Sequence, residues 1–306
     1  MKAMAFADLK NDFVFRRIFA THPDILRRLL NDLLDRSGDR AVEEIEYLPS
    51  EQLALGAKLS ILDVRCKDRS GTTFVVEMQL IHVPGFINRV VYNACKAYAA
   101  QLHSGDKYSK LTDVVAISIC DFELWPDSEQ KRQGLPFVPM LSRWNMTERK
   151  SGNHGLLQVQ YAFLELPKLP EQRPQGEGAD LWAWLFVHAP QLTEMPADLS
   201  PGPYRDALEL ANKATFTQEE LDAYWRVIDE IQQVRDISEA KLAEGHTGGK
   251  ISALMTVLSA RGLTVSEEAR ARIEACRDDT LLDQWIARAT TASSLEGVFS
   301  PGVQPA

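Results

Sequence analysis

The feature that most constrains the fold is a pair of alternating segments within residues 59–80, LSILDVRCKDRSGTTFVVEMQL. In residues 59–66 and again in residues 73–80, apolar side chains recur at every second position, which is the period of a half-buried β-strand. Ser70 and Gly71 lie between the two segments and predict a turn. The stretch therefore predicts a β-hairpin.

The polar side chains of this hairpin depend on how its two strands are paired. If the pairing pivots on position 70, residues equally far from that position face one another, so Asp63 faces Glu77 on one side of the hairpin. Gln79, two residues after Glu77, projects from the same side. A shift of one residue would place Asp63 opposite Val76 and would separate these groups. The apolar alternation of both strands favours the first pairing.

The sequence around the hairpin predicts an α/β core. Helices are predicted where apolar residues recur at helical spacing, and strands where β-branched residues dominate. Asn11 and Asp12 are suitable residues to cap the first helix. The predicted helices cover residues 10–20, 24–36 and 86–102, and the predicted strands cover residues 44–48, 113–120 and 159–166.

A boundary is predicted at residues 167–180, PKLPEQRPQGEGAD, which are rich in proline, glycine and charge. It divides the chain into a first domain, residues 1–170, and a helical C-terminal region, residues 171–306. The helices predicted in that region cover residues 180–187, 204–213, 218–241, 250–261, 266–275 and 280–293.

The segment GHTGGK at residues 245–250 has the glycines and the lysine of a phosphate-binding loop. Glu244 stands where such a loop needs its first glycine, and no strand precedes it. The segment therefore predicts a break between two helices.

The charge of the chain is unevenly distributed. The whole sequence has a net charge of -9, with 34 Lys and Arg against 43 Asp and Glu. Residues 1–150 hold 21 basic and 20 acidic residues, so the acidity belongs to the C-terminal half. The near-neutral first half leaves room for a basic surface that binds phosphate, but composition shows no broad basic footprint of the kind that marks many DNA-binding proteins.

Other residue patterns limit the class of protein. No apolar run is long enough to cross a membrane and no signal peptide is recognisable, so we expect a cytoplasmic protein with no membrane partner. The four cysteines are widely spaced, which favours buried free thiols over a zinc site. The tryptophans in helical patterns are expected to pack internally; they are Trp182, Trp184, Trp225 and Trp285.

Two carboxylates on adjacent strands repel one another unless a cation or a proton lies between them. Mg²⁺ suits such a pair, because it binds one or two protein carboxylates together with water and substrate phosphate. Gln79 would lie beside the pair and orient a water molecule or contact the phosphate. An exposed sheet face also carries Asp, Glu and Gln, so the residues alone leave both interpretations open.

Several stretches carry a resemblance to a known family. They are KNDFVFRRIF, LDV and VEMQ of the hairpin, RVVYNACKAYAAQL with GDKY, DVVAISI, and, near the C-terminus, EGHTGGKISALMTVLSARGLTVSEEARARIEACRD and LDQWIARATTASSLEGVF. On these residues the chain resembles the Rpn recombination-promoting nucleases and putative transposases, a branch of the PD-(D/E)xK nuclease superfamily. The resemblance covers nearly the whole chain and implies a restriction-endonuclease-like mixed central sheet flanked by helices.

The resemblance implies roles for individual residues. Asp63 and Glu77 match the metal-binding acidic pair, and Gln79 stands where many members of the superfamily have lysine. Lys10 is a candidate to replace that lysine, and Asp12 is a candidate for a further acidic group.

Four residues of the third predicted helix resemble the helix that flanks such a site: Arg89, Tyr92, Tyr98 and Gln101. Tyr98 suits the core of the protein equally well.

We therefore expect a Mg²⁺- or Mn²⁺-dependent endonuclease that hydrolyses DNA and promotes recombination or transposition. The helical C-terminal region is expected to serve oligomerisation or partner contact. The alternative is a catalytically inactive binding or assembly protein that retains the nuclease fold.

Overall fold

A computed structural model of the chain describes residues 5–49, 51–52, 60–61 and 63–299. Residues 59 and 62 of the first predicted hairpin strand therefore lie outside the described residues. The described strands, in chain order, are β1 (Ile45–Tyr47), β2 (Glu51–Gln52), β3 (Ser60–Ile61), β4 (Val64–Asp68), β5 (Thr73–Gln79), β6 (Val114–Cys120), β7 (Leu141–Met146) and β8 (Leu156–Glu165).

Six of these strands form a mixed sheet in the order β1-β4-β5-β6-β8-β7, and β2 pairs with β3 separately. The central strands β5, β6 and β8 are parallel, whereas β1, β4 and β7 join as antiparallel neighbours. Parallel β5 and β6 need a crossover between them, and the helix that follows β5 provides it. The predicted α/β fold with a mixed central sheet is confirmed.

The described helices are α1 (Asp12–Phe19), α2 (Pro23–Leu34), α3 (Phe86–Ala99), α4 (Asp127–Gln133), α5 (Ala179–His188), α6 (Pro203–Leu210), α7 (Gln218–Ala260), α8 (Glu267–Ala275), α9 (Asp279–Ala289) and α10 (Leu295–Phe299). None of them has an apolar stretch of the length that a membrane crossing requires.

The predicted register of the hairpin is confirmed. Val64 pairs with Val76, and Cys66 pairs with Phe74, so residues equally far from position 70 face one another. The turn needs glycine at position 71, because the backbone there has φ +87° and a Cβ atom would lie 2.8 Å from the methyl group of Thr112.

The two faces of the sheet bury separate apolar clusters. Cys66, Phe74 and Val76 face the larger cluster, which includes the apolar residues of α1, α2, α5 and α6. Val75 faces the smaller cluster, which is covered by α3. Because successive side chains of a strand point to opposite faces, the alternation of β5 requires an apolar layer on both sides of the sheet.

The start of α1 is fixed from two directions. The side chain of Asn11 accepts hydrogen bonds from the backbone N–H groups of Phe13 and Val14, which makes it the N-cap, as predicted. Its Nδ2 donates to the carbonyl oxygen of Tyr224 at 3.2 Å. The Tyr224 hydroxyl in turn accepts from the backbone N–H of Asp8 at 3.4 Å. The first turns of α7 therefore hold the loop that precedes α1.

The chain divides by its contacts into two compact units, residues 1–229 and 230–306. The predicted domain boundary at 167–180 lies within the first unit, because Leu181, Trp182 and Phe186 of α5 pack in the larger cluster beneath the sheet. The helices on either side of that boundary are thus part of one core.

The second unit has an apolar cluster of its own, built from α7, α8, α9 and α10. Its buried members are Leu254, Leu258, Ile273, Leu282, Trp285, Ala289 and Val298.

The helix break predicted at residues 245–250 is wrong, since α7 continues through this segment without interruption. A glycine in a helix costs about 1 kcal/mol relative to alanine, which local contacts can offset. Thr247 donates to Oδ1 of Asp279 at 2.9 Å, and Lys250 donates to Oδ2 of Asp283 at 2.7 Å. These contacts fasten α9 to the glycine-containing part of α7.

Other expectations also need correction. Trp225 is 51% exposed, in contrast to Trp182, Trp184 and Trp285, which are buried as predicted. Cys66 and Cys120 are buried free thiols, whereas Cys95 is exposed and Cys276 is half-buried. The sequence patterns did not predict β7 or α4. β7 is an edge strand whose pairing with β8 is irregular, and most of its side chains are exposed, so they need not alternate between apolar and polar.

Candidate active site

Asp63 and Glu77 lie on one side of the hairpin at the end of β5. Asp63 directly precedes β4, whose first residue, Val64, pairs with Val76, the residue before Glu77. Oδ2 of Asp63 accepts a hydrogen bond from the backbone N–H of Met78 at 2.7 Å. Glu77 is only 8% exposed. The hairpin therefore brings together two carboxylates that are both largely removed from water.

Burial dominates the ionisation of both groups. It raises the pKa of Asp63 from 3.8 to about 7, against the hydrogen bond from Met78 and with the negative charges of Asp12 and Glu77 adding to the effect. Burial also raises the pKa of Glu77, against the charge of Arg89 and a hydrogen bond from α3. The site thus holds two carboxylates that lack sufficient positive charge to stabilise their ionised forms.

Arg16 connects the first helix to this pair. Its Nε donates to Oδ1 of Asp12 at 3.0 Å, and its guanidinium NH2 group donates to Oδ1 of Asp63 at 3.3 Å. Asp12 therefore lies near the site, as the resemblance implies, but it reaches Asp63 through Arg16. The side chain of Arg16 is 41% exposed.

Asn93 of α3 supports the second carboxylate. Its Nδ2 donates to Oε1 of Glu77 at 2.9 Å, and the asparagine is buried. Within the described part of the chain, Oδ1 of Asn93 has no hydrogen-bond donor. A buried amide oxygen without a partner is costly, and this one could accept a hydrogen bond or bind a cation next to the acidic pair.

The side chain of Gln79 is contacted by Arg89, a positively charged residue of α3. Arg89 donates through its guanidinium to Oε1 of Gln79, and Nε2 of Gln79 donates to the carbonyl oxygen of Ile81 at 3.2 Å. The charge of Arg89 also opposes the rise in the pKa of Glu77 that burial causes. A positive group therefore lies next to Gln79, the position at which the resemblance implies lysine in many members of the superfamily.

Lys10 is close to the same edge of the sheet, but its ammonium group forms an ion pair with a different carboxylate. Its Nζ donates to both carboxylate oxygens of Asp121 at 3.0 Å. Asp121 follows β6, and its backbone N–H donates to the carbonyl oxygen of Gln79 at 2.9 Å. The ammonium group of Lys10 is therefore paired with Asp121, which lies one residue after β6.

Tyr98 and Gln101 lie away from the acidic pair. Tyr98 packs against the smaller apolar cluster, which was the alternative interpretation of this residue. The side chain of Gln101 bonds the backbone N–H and carbonyl oxygen of Thr112, at 2.8 and 3.0 Å, before β6 begins. Arg89 lies in the first turn of α3, whereas Gln101 follows its last residue, Ala99. It therefore joins the far end of α3 to the sheet.

The acidic pair fits a divalent cation that is bound largely by water and substrate. Among the described residues, no group of three or more His, Cys, Asp or Glu side chains is arranged to hold a metal ion. Mg²⁺ needs only one or two protein carboxylates when phosphate and water complete its shell. The raised pKa values of Asp63 and Glu77 and the unpartnered oxygen of Asn93 are consistent with a missing positive charge at this point.

Sequence patterns did not identify Arg16 and Asn93, although each left a signal. Arg16 is four residues after Asp12, the spacing of a helical ion pair. Asn93 is a polar residue within the apolar stripe of α3, next to buried Val90 and Ala94. A buried polar side chain in such a stripe normally has a specific partner, which here is Glu77.

Comparison with known proteins supports the same assignment of the fold. A family model described as "PD-(D/E)XK nuclease family transposase" matches residues 9–240, which includes every element of the sheet and all the side chains named above. No curated protein and no solved structure gives a significant match.

Proposed function

The chain belongs to the PD-(D/E)XK nuclease family transposases, and from this we propose that it is a DNA endonuclease that depends on Mg²⁺ or Mn²⁺. The observation that carries the proposal is the proximity of Asp63 and Glu77, two desolvated carboxylates at the end of the hairpin where Asp63 accepts from the backbone N–H of Met78. The proposed reaction is hydrolysis: water attacks the phosphorus of a phosphodiester, and the bond to one bridging oxygen breaks to leave a phosphomonoester and a hydroxyl group.

Asp63 and Glu77 would hold the metal ion, which supplies Lewis-acid stabilisation of the phosphate and a water molecule of lowered pKa. The protein groups around them have separate tasks. The N–H of Met78 and the guanidinium of Arg16 fix the orientation of the Asp63 carboxylate. Asn93 fixes that of Glu77. In the proposal, these contacts would orient both carboxylates before the substrate arrives.

Gln79 and Arg89 would act on the substrate. Because Arg89 holds Oε1 of Gln79, the amide group has a defined orientation next to Glu77, from which it positions the attacking water or a phosphate oxygen. Arg89 brings the positive charge that glutamine lacks, and guanidinium groups bind phosphate well. In our proposal Arg89, and not Lys10, replaces the superfamily lysine, since Lys10 is paired with Asp121.

Cleavage of a supercoiled plasmid tests the proposal. The wild-type chain is expected to nick the plasmid with Mg²⁺ or Mn²⁺ and to be inactive with EDTA, and Asp63→Asn and Glu77→Gln are expected to abolish nicking. Asp39→Asn is a matched control, because Asp39 is exposed on a short helical turn far along the chain from the hairpin. Equal nicking by the wild type and both site variants would refute the assignment.

The glutamine at position 79 favours a second candidate, a nuclease-fold protein that binds or assembles without cutting. Titration calorimetry with Mn²⁺ separates the two candidates. A nuclease should bind Mn²⁺ in the wild type and lose that binding in Asp63→Asn. Absence of both carboxylate-dependent Mn²⁺ binding and DNA cleavage would favour the inactive protein.

Our proposal extends to the use and assembly of the enzyme. We assign it a role in DNA recombination or transposition in the cytoplasm, which predicts fewer recombinants in cells that carry Asp63→Asn than in cells that carry the wild type. We assign the helical C-terminal region to self-association, which sedimentation equilibrium of the full chain measures directly.

A further inference from the structure

A cleft of about 490 Å³ opens beside Gln79 at the beginning of α3. Its volume falls within the range of binding sites for small organic groups. The lining residues are Val83, Pro84, Gly85, Phe86, Asn88, Arg89 and Tyr92. Most of these side chains are apolar or aromatic, so the cleft suits a flat, largely apolar group with a few polar edges.

The cleft is continuous with the candidate active site through Arg89. This residue lines the cleft and also donates to Gln79. Tyr92 follows Arg89 by three residues, so the two lie on neighbouring positions of the helix surface. A group bound against Tyr92 is therefore next to the residues that would handle the phosphate.

The charge at the cleft is complementary to a phosphate. The helix α3 begins at Gly85, which provides no side-chain cap, and its first turn has no acidic residue. The positive end of the helix dipole is therefore uncompensated by the protein, and Arg89 adds a full positive charge. Tyr92 is 41% exposed, with Nζ of Lys96 5.8 Å from the centroid of its ring. An exposed aromatic ring of this kind can stack on a flat group, and the Lys96 charge adds to the positive potential beside it.

We propose that this cleft binds one unpaired nucleobase of the DNA, stacked on Tyr92, with the adjoining phosphate held by Arg89. The inference rests on the proposed function and names its substrate class. A base inside a duplex is covered on both faces and paired at its edge, so it must leave the stack to enter such a cleft. The preferred substrate is therefore DNA with unpaired bases, such as a single strand or a strand fork.

Binding in EDTA tests the inference without requiring cleavage. The probes are fluorescent oligonucleotides of about ten nucleotides, a usual site size for single-stranded DNA. One is a thymidine oligomer, one is an abasic oligomer of the same length and charge, and one is a duplex of the same length. Fluorescence anisotropy measures the affinity of the full chain for each probe.

The wild type should bind the thymidine oligomer about tenfold more tightly than the abasic oligomer, and Tyr92→Ala should remove most of this difference. Tyr92→Phe retains the ring and should bind like the wild type. Val91→Ala is the matched control, since Val91 is 40% exposed on the same helix but does not line the cleft.

Three results would overturn the inference: equal affinity for the thymidine and abasic oligomers, tighter binding of the duplex, or no effect of Tyr92→Ala. Lack of binding to any oligonucleotide would overturn it as well. These results are independent of the plasmid assay, because a nuclease that cuts intact duplexes without using Tyr92 would satisfy the proposed function and fail only here.

Discussion

Replacing Asp63 by asparagine should make the metal-free protein more stable at high pH. Burial raises the pKa of Asp63 from 3.8 to about 7. Each pKa unit corresponds to about 1.4 kcal/mol, so ionised Asp63 lowers the free energy of unfolding by up to about 4 kcal/mol. The side chain is 16% exposed, and contact with solvent reduces this figure. We expect Asp63→Asn to stabilise the protein by about 2 to 4 kcal/mol when the carboxylate would be fully ionised.

The sign of the pH dependence follows from proton binding. Below pH 3.8 the carboxyl group is protonated in both the folded and the unfolded chain, so it contributes no difference. Between that value and pH 7 the unfolded chain loses the proton while the folded chain keeps it, so the wild type becomes less stable as pH rises. Above this range both forms are ionised and the penalty is complete. Asparagine does not titrate, so the gain in free energy of unfolding from Asp63→Asn grows across the same interval.

Urea unfolding with EDTA measures this effect at about pH 5.5 and about pH 8, and the advantage of Asp63→Asn should be about 2 kcal/mol larger at the higher pH. Asp39→Asn should show no such change. Added Mn²⁺ should stabilise the wild type and leave Asp63→Asn unchanged. Two results would refute the reasoning that burial destabilises the ionised carboxylate of Asp63. They are a stability gain from Asp63→Asn that stays constant with pH, and a variant that is less stable than the wild type at about pH 8.

Three other substitutions test separate parts of the structure. Asn93→Ala leaves Glu77 without its amide donor and should weaken Mn²⁺ binding by about 10- to 100-fold in titration calorimetry; unchanged affinity would show that Asn93 does not position the carboxylate. Arg89→Ala should reduce the rate of plasmid nicking by roughly 100-fold, with partial recovery in Arg89→Lys, and an undiminished rate would exclude Arg89 as the replacement for lysine. Gly248→Ala should stabilise α7 by about 1 kcal/mol in urea unfolding, because a Cβ atom there meets nothing within 4 Å. The control Gly262→Ala should destabilise the chain, since that backbone has φ +70°, and the opposite order of the two variants would contradict the continuous helix.

The central hairpin could be predicted from sequence because its constraint is local. The alternation of apolar residues in β4 and β5, with one turn between them, leaves a single pairing that buries Cys66, Phe74 and Val76 together. A pairing shifted by one residue would expose this set, so burial selects the register. That register brings Asp63 close to Glu77, while their catalytic role stays a prediction.

The support around the acidic pair was harder to predict, because it depends on contacts between distant segments. Asn93 meets Glu77 only when α3 crosses back over the sheet, and Arg16 meets Asp63 only when α1 reaches the beginning of β4. The pairing of Lys10 with Asp121 joins residues that are 111 positions apart. Local periodicity contains no information on such pairs. It identifies the helix that carries each residue but not the side chain that the residue meets.

The continuity of α7 shows how tertiary packing overrides local propensity. Gly245, Gly248 and Gly249 predict a break on propensity alone. The helix nevertheless continues, because Leu254 and Leu258 lie in the core of the second unit and Lys250 is fastened to α9.

The contact between Tyr224 and the cap of α1 sets a lower limit on the length of a fragment that folds alone. A protein truncated at the predicted boundary near residue 170 would keep the sheet and the acidic pair but would lose α5, α6 and Tyr224. The larger apolar cluster would then be open to solvent, and the loop that carries Lys10 and leads into Asp12 would lose its anchor. The shortest fragment expected to fold with an ordered site therefore ends after residue 229.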